Sequence, residues 1–392
     1  MLSSVKKLSQ KSATQFVVLI GIVSLFADVT YEGARSINGP FLAFLGANAV
    51  TVGLVAGSGE LIGYLFRLFS GYFSDRTRKY WAITVFGYAV NMLAVPLLAL
   101  AGNWVFASAL MILERLGKSI RVPARDAMLA SAGESMGQGW GFALHEALDQ
   151  IGAMTGPLIV AAILYFRGKF STCYAALAIP ACLTIAVLLT AKFLYPRPQD
   201  LEIKINAPKP EGFSRRYWIY LAAAALVAAG YADFPLIAYH WKKTALFPEA
   251  WIPIFYSVAM GVDGLAALIF GRWFDRRGLS VLAIVSFLSA FFAPLVFSHS
   301  IFGAILGMAL WGIGMGSQES VMRAAVSGMA APEKRGTAFG VFNTGYGLAW
   351  FCGSALMGFL YDRSLLLVII FSVTAQLLSI PLILAASKDN TR

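Results

Sequence analysis

The amino-acid sequence predicts an all-α membrane protein of twelve transmembrane helices in two halves, and three observations carry that prediction. The 392-residue chain is 58% hydrophobic and only 13% charged, with a mean hydropathy of +0.71; a soluble domain carries about 25% charged residues. Apolar runs of about 20 residues, each long enough to cross a bilayer as a helix, recur from residue 15 to residue 386. A charged turn, Gly71-Tyr72-Phe73-Ser74-Asp75-Arg76-Thr77-Arg78-Lys79, returns as Gly271-Arg272-Trp273-Phe274-Asp275-Arg276-Arg277-Gly278, starting 200 residues later.

Taken in order, residues 1–13 are a polar, basic N-terminus. The N-terminal six-helix bundle spans 14–192, with helices at 14–44, 48–70, 80–101, 104–124, 138–165 and 170–192. The first run continues into a polar-studded helix and lacks a small-residue cleavage site, so it reads as a retained span. Residues 193–215 form the one long polar connection, marked by Pro196, Pro198, Pro208 and Pro210. The C-terminal bundle, 216–386, holds helices at 216–240, 250–271, 280–298, 301–327, 336–360 and 364–386, and 387–392 is a short tail.

Lys and Arg set the orientation. With residue 1 in the cytoplasm, the inner termini and loops hold 21 of them, Arg121 and Arg125 included, and the outer loops hold 5. This split places both termini and the central connection inside, in an inner or plasma membrane. Topology therefore accounts for the net charge of +11, and no basic-aromatic patch points to nucleic acid. Cys173, Cys182 and Cys352 lie in apolar segments without metal-ligand spacing, and the three histidines make no obvious metal cage. There is no P-loop and no dinucleotide fingerprint. The expectation is a non-enzyme with no cofactor and no metal, embedded as a monomer in lipid.

The halves match beyond the turn. Ala27-Asp28 is echoed by Ala232-Asp233, and Glu134, Gly137 and Gly141 by Glu333, Gly336 and Gly340. Two six-helix parallel repeats suggest a transporter whose site lies near the midplane between the halves.

On these residues the whole chain resembles the major facilitator superfamily (MFS). The turn Gly71–Lys79 is similar to that family's signature between spans 2 and 3, Gly-x-x-x-Asp-Arg-x-Gly-Arg-Lys/Arg, with Thr77-Arg78-Lys79 departing from it. Gly152-x-x-x-Gly156-Pro157 resembles a motif of the antiporter branch, with Val160-Ala161 in place of its trailing Gly-Gly, and Arg115-Leu116-Gly117 loosely resembles a span 4 arginine motif. The resemblance implies the MFS fold, two six-helix bundles related by a pseudo-two-fold axis, and transport by alternating access. Gly71, Asp75, Arg76 and their copies Gly271, Asp275, Arg276 then form a gate, each Asp pairing with a basic group or a helix N-terminus.

A charge at the bilayer centre costs on the order of 2.5–3.5 kcal/mol on insertion scales, so a span keeps one where it faces a cavity or a partner. Asp28, Glu32 and Arg35 share one face of span 1 by their spacing, with Glu32–Arg35 as a candidate pair. His145, Glu146 and Asp149 cluster on span 5. Glu114, Arg115, Lys118 and Arg121 come from span 4, and depth counting at 1.5 Å per residue sets Arg115 level with Asp149. Glu60 in span 2 and Asp233 in span 7 complete the candidate substrate and proton set; Asp263 and a Glu319–Arg323 pair are weaker. The expected function is a proton-coupled secondary transporter of a small organic solute, with export by antiport as the first reading. The alternatives are import, by symport or uniport, of an organic anion or a siderophore, or a transporter-shaped sensor or assembly partner.

Overall fold

The computed structural model describes residues 10–136, 138–196, 213–329 and 335–388, and among them every long element is a helix. In chain order these are α1 (Gln10–Phe44), α2 (Ala49–Thr77), α3 (Tyr80–Leu97), α4 (Trp104–Met136), α5 (Gln138–Arg167), α6 (Phe170–Ala176), α7 (Ala178–Leu194), α8 (Arg215–Gly230), α9 (Phe234–Lys243), α10 (Trp251–Arg277), α11 (Ser280–Ser289), α12 (Phe292–Val296), α13 (Ile301–Met329), α14 (Arg335–Arg363) and α15 (Leu365–Lys388). Three spans are broken, α6–α7, α8–α9 and α11–α12, so fifteen helices make the twelve expected passages. Nine spans among the described residues are long and apolar enough to cross a membrane. Of the rest, α4 carries six charged residues between Glu114 and Asp126, α11–α12 is short, and glycine and polar positions dilute α14.

Two departures from the expected spans shape the site. Helix α4 continues to Met136, where the sequence suggests a loop after residue 124. Ala124, Met128, Leu129 and Ala132 are buried, and their helical spacing packs that extension into the interior. Arg121 and Arg125 therefore lie within the bundle, 1% and 9% exposed, and the inside count falls from 21 to 19 against the same 5.

The second departure is span 7. Helix α8 stops at Gly230, and α9 begins at Phe234 with Pro235 in its first turn. This is the glycine-stop, proline-start pattern of helix ends. Tyr231 and Asp233 are extended, and Asp233 makes no capping hydrogen bond with its side chain, which leaves the carboxylate for other partners. The freed carbonyls are satisfied: Trp311 Nε1 donates to Ala232 at 2.9 Å and Ser372 Oγ to Gly230 at 2.6 Å. Non-helical backbone at membrane depth requires such partners.

The two copies of the charged turn end their helices alike. The N–H of residue 78 donates to Ser74 at 2.8 Å and that of 278 to Phe274 at 2.7 Å. Both residues are left-handed, with φ of 54° at Arg78 and 62° at Gly278. A side chain costs roughly 1–2 kcal/mol in that region, and glycine does not incur it. Arg78→Gly is therefore expected to stabilise the protein by about 1 kcal/mol, a rise of about 2 °C in the thermal midpoint. A thermal scan in detergent showing no rise would mean that Arg78 contacts offset the backbone cost.

The chain divides into two compact units, each described here by itself. The first comprises Met1–Ala34, Phe66–Ala101 and Ala109–Ile205. Its core gathers Phe16, Trp81, Tyr88, Met92, Met128 and Leu188. In it α5 lies directly on α1: a Cβ at Gly152 would meet the Leu25 carbonyl oxygen at 2.4 Å, and one at Gly156 the Val29 oxygen at 2.4 Å. That approach sets Asp149 beside Asp28. The second unit comprises Arg35–Leu65, Gly102–Ser108 and Asn206–Arg392. There α10 packs along α13, and α8 along α14 and α15. The later part of α1 also reaches α9, where Gly39 lies on the backbone of Pro235.

Candidate functional site

Buried charge gathers in two clusters, one in each unit. In the first, Ser24 is the hub. Arg125 Nη1 donates to its hydroxyl at 3.0 Å, His145 Nε2 lies at 2.8 Å and the Tyr88 hydroxyl at 3.5 Å. Asp149 also hydrogen-bonds to Ser24 and faces Arg125, Arg121 and Lys118. His145 Nδ1 is 3.9 Å from Asp149 Oδ2. Asp28, 5% exposed, faces Asp149, Lys118, Arg121 and Glu32. Two tyrosines complete the wall. The Lys118 ammonium sits 3.8 Å from the Tyr31 ring centroid, and the Arg121 guanidinium 4.2 Å from that of Tyr88. Such cation–π contacts are worth about 2 kcal/mol or more when desolvated.

Arg121 has the most unusual surroundings. Among the described residues its Nε and Nη1 find no hydrogen-bond partner. A buried donor without a partner forfeits about 1–3 kcal/mol, more for a charged group. This cation presents unused donors beside Asp28 and Asp149.

The expected Arg115–Asp149 level does not hold. Arg115 Nε lies 3.5 Å from Glu114 Oε2, and Glu114 Oε1 accepts from Asn91 Nδ2 at 2.8 Å. Depth counting failed because α4 runs on to Met136. Counting back along α4 from Met136 and forward along α5 from Gln138, the residue level with 149 is 125, and Arg125 is the one that shares Ser24 with Asp149. Sequence reasoning grouped Arg121 with the span 4 charges but counted Arg125 only as a loop residue, and so missed it as the partner of Asp149. The three- and four-residue steps from Lys118 to Arg121 to Arg125 were the available signal. Glu146 is exposed. With His145 and Asp149 it brings one ligand atom each to within 4.8 Å of one another, a metal-compatible spacing, but Arg121 and Arg125 beside Asp149 oppose a divalent cation there.

The second cluster forms around the break in span 7. Asp233, 2% exposed, accepts on Oδ2 from Trp350 Nε1 at 2.8 Å and from Ser354 Oγ at 2.9 Å. Its Oδ1 lies 3.7 Å from Arg35 Nη2, which is 3.3 Å from Glu60 Oε1. Spans 1, 2 and 7 thus meet in a Glu60–Arg35–Asp233 triad, Arg35 and Asp233 buried and Glu60 half-buried, with span 11 supplying the donors to Asp233. Arg35, paired with Glu32 by sequence spacing, also reaches two residues far away in the chain. Asp263 is buried on α10.

Of the gate residues, Gly71 and Arg76 end α2 and Gly271 and Arg276 end α10; both arginines are exposed, and Arg76 Nη1 donates to the Tyr72 hydroxyl at 3.2 Å. The side chains of Asp75 and Asp275 lie outside the described residues, as do those of the Glu319–Arg323 pair and of the Glu134 and Glu333 echoes.

Comparison with known proteins agrees with this architecture. The family model of the Major Facilitator Superfamily matches residues 18–354 and 248–389. An uncharacterized protein of Mycobacterium tuberculosis strain H37Rv is 39% identical over 381 residues, 95% of this chain and 93% of its own. An uncharacterized MFS-type transporter of Methanocaldococcus jannaschii is 28% identical over 371 residues, 91% of each chain. Among solved structures, a POT family transporter in complex with a thioalcohol-conjugated peptide superposes with a TM-score of 0.76 at 14% identity, covering 96% of this chain and 97% of that one. The nucleoside transporter NupG gives 0.71 at 14% identity, covering 96% and 99%.

Proposed function

Because this chain belongs to the Major Facilitator Superfamily, we propose that it is a proton-coupled secondary transporter moving a small organic solute by alternating access. The observation that carries the proton coupling is the pair Asp28 and Asp149, two carboxylates held on facing helices in the field of Lys118, Arg121 and Arg125. Desolvation and neighbouring cations pull a buried carboxylate in opposite directions. A group balanced between them loads and releases a proton when a conformational change alters either term. Export is supported by the resemblance of Gly152-x-x-x-Gly156-Pro157 to the antiporter motif, whose two glycines are the ones that lie on the α1 backbone. The 19 to 5 distribution of basic residues supports cytoplasmic termini.

Import of an organic anion is a second reading, favoured by one observation, the unused donors of buried Arg121. Proteoliposomes test both. Asp28→Asn and Asp149→Asn are expected to lower flux driven by a pH gradient at least tenfold, while exchange at equal pH changes little. Wild-type gradient dependence in both variants would remove them from the proton path. Carboxylate-bearing and neutral solutes in the same assay separate the two readings. No flux of any solute, with no pH-dependent ligand binding, would favour a sensor or an assembly partner.

A further inference from the structure

A groove of about 590 Å³ lies on the first unit where α2, α3 and α4 meet, and no residue of that unit's charge cluster lines it. Its walls include Phe66, Phe69 and Phe73 of α2, Ala82 and Phe86 of α3, and Ile120 of α4. They are almost wholly apolar, and the size is that of ligand pockets, about 300–1,000 Å³. Phe66 to Phe73 covers about 10 Å along the helix axis. Lys79 lines the end nearest the turn, and Arg76 and Arg78 are exposed beside it.

The internal repeat supplies a comparison. Two hundred residues on, Phe66, Phe69 and Phe86 become Ala266, Ile269 and Ser286, while Arg78 and Lys79 become Gly278 and Leu279. The second copy keeps Trp273 at the position of Phe73 and carries its cations as Arg272, Arg276 and Arg277, so what distinguishes the first copy is the extra phenylalanines of the groove wall and the pair Arg78-Lys79. The first copy also keeps an arginine in a left-handed position, φ 54°, that the second gives to glycine.

We propose that this groove binds one anionic phospholipid, an acyl chain lying along the phenylalanines and the phosphate against Arg76, Arg78 and Lys79. Acyl chains are as well solvated by bulk lipid as by the groove, so selectivity comes from the headgroup. Basic residues at an anionic membrane surface contribute about fivefold in affinity each.

The test uses the full chain in detergent micelles, with bound lipid counted by native mass spectrometry against phosphatidylglycerol and phosphatidylcholine. The wild type is expected to retain one phosphatidylglycerol with at least tenfold preference. Arg78→Gly with Lys79→Leu, which installs the second copy's residues, is expected to lower that preference at least fivefold. Ala82→Trp, at an exposed wall position, is expected to lower retention of both lipids. Thermal midpoints at or above wild type establish that the variants are folded. Equal retention of the two lipids by the wild type, or an unchanged preference in the double variant, would overturn the proposal. Displacement by millimolar inorganic phosphate would also overturn it, because the turn would then bind a soluble anion without a lipid chain.

Discussion

Asp233→Asn is expected to cut gradient-driven flux by on the order of 100-fold while leaving exchange at equal pH within about threefold, since removing one partner from a buried ion pair costs about 3–5 kcal/mol. Asparagine keeps an oxygen for Trp350 and Ser354, which hold the carboxylate at 2.8 and 2.9 Å. It removes the charge that Arg35 faces at 3.7 Å. Arg35 then loses one of the two carboxylates of the triad, and the triad loses the site at which a proton would exchange with a cation for the same carboxylate. Flux in proteoliposomes, with and without a pH gradient, reads the difference. A parallel fall in both modes would make Asp233 a structural anchor of the span 7 break, and undiminished gradient response would exclude it from coupling altogether.

Gly39→Leu is expected to abolish net transport without unfolding the protein. A Cβ at Gly39 would meet the carbonyl oxygen of Pro235 at 1.9 Å and its Cα at 2.9 Å, all of it backbone. Overpacking of this kind costs about 1–3 kcal/mol, occasionally more, and here no side chain can rotate away. The contact between α1 and α9 cannot close around leucine, so conformations in which it is open gain population by tenfold or more. Ala49, whose carbonyl lies 2.5 Å from a Cβ placed on Gly358, is a reporter in the same unit. In a background with Cys173, Cys182 and Cys352 replaced by Ser, maleimide labelling of an Ala49→Cys variant is expected to rise when Gly39→Leu is added. Unchanged labelling together with normal flux would show that the seam yields around the new side chain.

Much of this was legible in the sequence because lipid imposes simple rules. Hydropathy and the repeated turn place the twelve passages, and the charges within the spans, Asp28, Lys118, Asp149 and Asp233, declare themselves by their cost. What was not legible came from continuity and distance. The loop expected after residue 124, with Arg125 in it, is a helix, because Met128, Leu129 and Ala132 bury its next turns. The span 7 break was written in Gly230, Asp233 and Pro235, but the unbroken apolar run around them hid it. The Arg35–Glu60–Asp233 triad joins positions 25 and 173 residues apart from Glu60, and no local spacing rule reaches that far.

The triad also carries an electrical consequence. With both carboxylates ionised, Glu60, Arg35 and Asp233 sum to one negative charge; one bound proton brings the sum to zero. A charge displaced through the full membrane potential is worth about 2.3 kcal/mol per 100 mV. Voltage would therefore act on the conformational step made by the empty, deprotonated carrier and spare the step made with the proton aboard. Clamping the potential of proteoliposomes with potassium and valinomycin should change the rate of net transport and leave the exchange of loaded carriers nearly untouched.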